Sequence, residues 1–100
     1  MDDLEIIELY FARDEQAISE TDSKYGKLCF KLAKNLLLSS LDAEECVNDT
    51  YLNAWKSMPP NKPKVLSTFL GKIVRNLSFN RYRKNTADKR GGGELPLVLD

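Results

Sequence analysis

Apolar residues recur every three or four positions along most of this chain, and no segment makes a convincing strand. Such a pattern can be buried only as amphipathic helices packed on one another. Leu4, Ile7 and Phe11 predict a short opening helix. A second helix is expected from near Asp14, a plausible cap, with Ala17, Ile18, Thr21, Tyr25, Leu28, Leu32 and Leu36 on its buried face. Gly26 weakens its middle and could allow a bend. After the break at Ser39, Ser40 and Leu41, Asp42 is expected to open a third helix, with Glu45 completing a variant capping box. Ala43, Val47, Thr50, Tyr51, Ala54 and Met58 would line its buried side. Pro59 and Pro60 must end it, because neither has a backbone donor and each restricts the residue before it. A fourth helix is expected from about Val65 to about Lys84, carrying Leu66, Phe69, Leu70, Ile73 and Leu77 in a narrow arc. Gly91, Gly92 and Gly93 then read as a flexible segment. The expected fold is all-α, a compact bundle of about four helices. The expected division is a helical domain over residues 1–88 and a Gly-rich flexible linker over 89–100.

Composition narrows the function. One hundred residues suit a single core, and no apolar run approaches the roughly 20 residues of a membrane span. The start is acidic, with Asp2, Asp3 and Glu5, unlike a secretory signal, so a cytoplasmic location is expected. Cys29 and Cys46 have no metal-ligand spacing and read as reduced, partly buried thiols. With no histidine, the usual general base and the commonest nitrogen ligand are missing. No convergent carboxylate cluster supports a hydrolase or nuclease, so neither catalysis, metal nor cofactor is expected. The formal charge of zero hides an asymmetry. Residues 1–50 hold 5 Lys/Arg against 12 Asp/Glu, a balance of −7, and residues 51–100 hold 10 against 3, a balance of +7. That separation suggests an acidic surface for one partner and a basic surface for a polyanion.

Steps of about 100° per residue place each surface. Glu45, Asn48, Asp49, Leu52 and Lys56 fall opposite the apolar stripe of the third helix. Leu52 is either one of the exposed leucines any surface carries or the anchor of a protein-binding patch rimmed by Glu45 and Asp49. From Lys62 to Arg90 there are nine basic residues and one acid, Asp88. Lys72, Arg75, Asn76, Phe79 and Arg83 share a flank of the fourth helix. They offer charges for phosphates, an amide for a base edge and a ring for stacking, although the first helix could instead cover Phe79. Arg83 and Lys84 also suit the helix dipole.

The segment DAEECVNDTYLNAW at 42–55 resembles the region 2.2 helix of extracytoplasmic-function (ECF) sigma factors of bacterial RNA polymerase. FLGKIVRNL at 69–77 through RYRK at 81–84 resembles their regions 2.3 and 2.4, and LYFARDEQA at 9–17 the start of the same domain. The likeness spans about residues 5 to 90. It implies that Glu45, Asn48, Asp49 and Leu52 dock on the coiled coil of the largest subunit of core polymerase. It implies that the loop from Met58 to Lys64, with Asn61, Lys62 and Lys64, captures a base flipped from the promoter −10 element. Lys72, Arg75, Asn76, Asn80, Arg81 and Arg83 would hold the non-template single strand. Melting would proceed by trapping, with binding energy offsetting an unstacking cost of a few kcal/mol per step. An anti-sigma factor is a further possible partner. Two departures stand out: Asn48 replaces the usual glutamine, and the family's helix-turn-helix domain for the −35 element is missing from these residues. An isolated domain or truncated product is therefore expected, one that binds duplex promoter poorly. The competing expectation is a helical protein-interaction module whose basic face takes an acidic partner.

Overall fold

The computed structural model describes the backbone of residues 1–90 and the side chains of residues 1–86. Four helices make up the described chain: α1 (Asp3–Phe11), α2 (Gln16–Leu37), α3 (Ser40–Ser57) and α4 (Leu66–Arg90), with no strand among the described residues. The expected all-α bundle is the fold. Helix α2 is its centre, packed against the other three, and α3 also packs against α4. α4 continues past the expected end near Lys84. The part of the expected linker from Gly91 onward lies outside the described residues.

The core uses the expected helices but not always the expected faces. In α1 the buried residues are Ile6, Ile7 and Tyr10, while Leu4 and Phe11 are exposed. In α2 the buried line is Ala17, Thr21, Cys29, Ala33 and Leu37, whereas Leu28 is exposed and Leu32 and Leu36 lie at the core margin. The small residues let α2 sit close to three neighbours at once, and the larger leucines fill the flanks. α3 buries Ala43, Val47, Thr50, Tyr51 and Ala54 as expected, with Cys46 added, and Met58 is buried just past its end. α4 buries Leu66, Leu70, Val74 and Ser78, strictly four apart, with Phe69, Ile73 and Leu77 packed beside them. Both cysteines are free and buried.

The helix ends correct two expectations. Asp14 lies one residue ahead of the α2 cap position, which Glu15 occupies without a side-chain cap bond; Asp14 Oδ1 nevertheless accepts from the Gln16 backbone N–H at 2.9 Å. Asp42, however, does not open α3. The cap is Ser39, whose Oγ accepts from the Asp42 N–H at 3.2 Å, so the capping box with Glu45 does not form. Ser39 precedes the first turn and therefore reaches the free backbone donors that Asp42, already inside the helix, cannot. The capping box is instead in α1, between Asp2 and Glu5.

α2 also runs unbroken through Gly26. A Cβ there would lie 2.6 Å from Asp22 Oδ1 and 3.3 Å from the Tyr51 hydroxyl. The missing side chain lets Tyr51 of α3 donate to Asp22 of α2 at 2.7 Å. Close approach, not flexibility, is the reason for glycine here.

A second polar contact ties α1 to α2 inside the core. Tyr10 and Thr21 are fully buried, and their hydroxyls lie 2.7 Å apart. Thr21 donates to the Ala17 carbonyl at 2.8 Å, so Tyr10 must be the donor to Thr21. Thr21→Val keeps the shape but leaves the Tyr10 hydroxyl without an acceptor. The expected cost is about 1 to 3 kcal/mol. A thermal melt should show it as a drop of several degrees, and an unchanged midpoint would mean the bond contributes nothing.

Candidate nucleic-acid and docking surfaces

The break between α1 and α2 organises the end of α3. Arg13 has φ 58°, the left-handed conformation. Its N–H donates to the Tyr10 carbonyl at 3.0 Å and the Asp14 N–H to the Leu9 carbonyl at 2.9 Å, a Schellman closure of α1. Glycine would take this conformation freely, whereas arginine carries a cost of roughly 1–2 kcal/mol. The side chain explains the choice. Its Nη1 donates to the carbonyls of Trp55 at 2.9 Å and Met58 at 2.7 Å. The guanidinium lies 3.9 Å from the centroid of the Trp55 ring. A cation thus sits on the carbonyl end of α3, where the helix dipole is negative. Arg13 was not singled out from sequence. The available signal was faint: an arginine in a helix break, ahead of Asp14.

On α3, Glu45, Asn48, Asp49, Leu52 and Lys56 are all exposed, as expected, and Leu52 retains about half of its surface (51%). Leu52 is not isolated. It borders a groove between α2 and α3 lined also by Glu15, Ile18, Asp22, Asn48, Tyr51 and Trp55. The groove is apolar along its floor and acidic at its rim. Arg13, through Trp55 and Met58, fixes one end of it.

In the loop, Asn61, Lys62 and Lys64 are exposed. Asn61 is anchored, with its N–H donating to the Ser57 carbonyl at 2.9 Å and its amide to Ser57 Oγ at 2.6 Å. Along α4, Lys72, Arg75, Asn76, Phe79, Asn80 and Arg83 are exposed. Among the described residues neither of the two amides, Asn76 and Asn80, nor any of the three cations, Lys72, Arg75 and Arg83, enters an ion pair or side-chain hydrogen bond. Phe79 is not covered by α1; the Arg83 guanidinium lies 5.4 Å from its ring centroid. The phosphate-sized charges and the stacking ring therefore remain available on one flank.

Arg81 is placed differently from its neighbours. Its Nη1 donates to Asp42 Oδ1 at 2.9 Å and its Nη2 to Glu45 Oε1 at 2.5 Å. Asn85 donates to the other Asp42 oxygen at 3.0 Å. One residue expected on the nucleic-acid surface and one expected on the docking rim are thus joined to each other.

Two carboxylates are held below the usual range by such partners. Asp42 is lowered by its hydrogen bonds from Arg81 and Asn85, and Asp3 by those from Lys24 and Tyr25. A lowered folded-state pKa gives stability that is complete above the unfolded value near 3.8 and is lost as pH falls through the folded value. Urea midpoints should therefore decline on acidification below about pH 4. Asp42→Asn should flatten part of that decline. An identical acid limb in the variant would show that Asp42 contributes nothing to it.

Among the described residues no group of histidine, cysteine or acidic side chains could hold a metal ion, and no helix is long and apolar enough to cross a membrane. A family model described as Sigma-70 region 2 matches residues 23–87. No curated protein and no solved structure matches the chain.

Proposed function

Because the chain belongs to the sigma-70 region 2 family, we propose that it is a transcription initiation domain that docks on core RNA polymerase and recognises and melts the promoter −10 element. The family carries the general role of core binding and −10 recognition. The assignment of individual residues is ours. The observation that supports it most is the flank of α4, where Lys72, Arg75 and Arg83 are exposed and unpaired among the described residues around Asn76, Phe79 and Asn80. The non-template strand lies there, its phosphates on the cations and a base against Phe79. The loop with Asn61, Lys62 and Lys64 receives the flipped base, and the groove beside Leu52, with Asn48, Asp49 and Glu45 nearby, takes the coiled coil of the largest polymerase subunit. The likeness at residues 42–55 and 69–84 favours the ECF type and a cytoplasmic setting. An anti-sigma protein would compete for the same faces. The domain makes and breaks no bond; it traps melted DNA.

Fluorescence anisotropy with −10-like single strands, repeated across salt, tests this. Binding with a preference for the −10 sequence and a steep loss of affinity with salt is expected. Failure to bind at low salt, or binding without sequence preference, would favour an interaction module for an acidic protein partner.

A further inference from the structure

Helix geometry separates Arg81 from the nucleic-acid flank before any contact is considered. At about 100° per residue, Arg81 lies about 180° from Lys72. It falls instead on the line of Leu66, Leu70, Val74 and Ser78, the buried stripe that faces the rest of the bundle. Beyond Ser78 that stripe turns polar, and α4 continues to Arg90. The planar guanidinium fork then takes over from apolar packing, reaching Asp42 and Glu45 on two successive levels of α3. Asn85, one turn further along the same stripe, adds its bond to Asp42.

We propose that Arg81 is a positioning residue and not a phosphate contact: it straps the distal part of α4 to the start of α3 and thereby fixes the strand-holding flank relative to the docking face. The inference rests on the function proposed above. Without the strap, the distal turns of α4 lose their polar tie to α3. Arg83 and Phe79, on the outer side of those turns, are then held less firmly for a strand.

The test compares the wild-type domain with Arg81→Met, which keeps the apolar stem, and Arg81→Lys, which keeps the charge but lacks the fork. Single-strand affinity is measured across salt, well below each melting temperature. A positioning role predicts that Arg81→Met lowers affinity by about threefold to tenfold while the salt slope stays at the wild-type value. Arg81→Lys, a single point charge that cannot bridge both carboxylates, should fall by a similar factor with the same slope. A slope reduced by about 0.7 in Arg81→Met, with full recovery in Arg81→Lys, would make Arg81 a phosphate contact and overturn the proposal. Unchanged affinity and slope in both variants would reduce Arg81 to a stabilising residue and overturn it as well. A double-mutant cycle between Arg81→Met and Asp42→Asn, read by urea unfolding of the free domain, needs no DNA. Absence of coupling there removes the strap itself, whereas failure of the wild-type domain to bind any strand removes only the functional reading.

Discussion

Replacing Lys72, Arg75 and Arg83 together with alanine should weaken binding of −10-like single strands by about a hundredfold, the loss of three phosphate contacts. The slope of affinity against salt should fall by about 2, since each contact with a single strand accounts for about 0.7. The fold should survive. Lys72 and Arg75 are exposed and unpaired among the described residues, and Arg83 would lose only its approach to Phe79. Circular dichroism and a thermal melt check that point. Wild-type affinity in the triple variant would move the strand to another surface, and the loop cations Lys62 and Lys64 would be tested next.

The second large effect is expected at the groove on α3. Leu52→Ala should weaken binding to core polymerase by about thirtyfold or more, the size of a hot-spot truncation of 2 kcal/mol. Asp49→Lys, on the same exposed face, should act through repulsion of a basic partner and depend on salt. Neither change touches a buried residue, so the melting temperature should stay put. A titration of labelled domain with core enzyme measures both. If both variants bind like the wild type, Leu52 is an ordinary exposed leucine. The groove floor of Ile18, Tyr51 and Trp55 would then have no assigned partner.

Much of this was readable along the chain because helical spacing carries both the buried stripe and its opposite. The exposed set Glu45, Asn48, Asp49, Leu52 and Lys56 follows from 100° steps, and so does the flank from Lys72 to Arg83. The errors have physical causes. Leu28 is expected inside because it is large and apolar, but the interior of a four-helix packing needed small side chains on α2. Thr21, Cys29 and Ala33 satisfied it. Asp42 was expected as a cap because its side chain is chemically suited to one. Ser39 took the position because the turn after α2 brings it ahead of the first free N–H groups.

The amino-acid sequence by itself determined an all-α chain, its breaks, the segregation of acid from base and the two outward faces. These are local properties, fixed by spacing and by side-chain chemistry. Only the tertiary structure decided the fate of particular charges. Arg13 reaches across to Trp55 and Met58, and Arg81 to Asp42 and Glu45, partners some forty positions away. Two arginines equal in composition to those on the open flank are thereby committed to the fold. Periodicity ranks a residue's direction on its own helix, but which opposite charge meets it depends on how the helices cross.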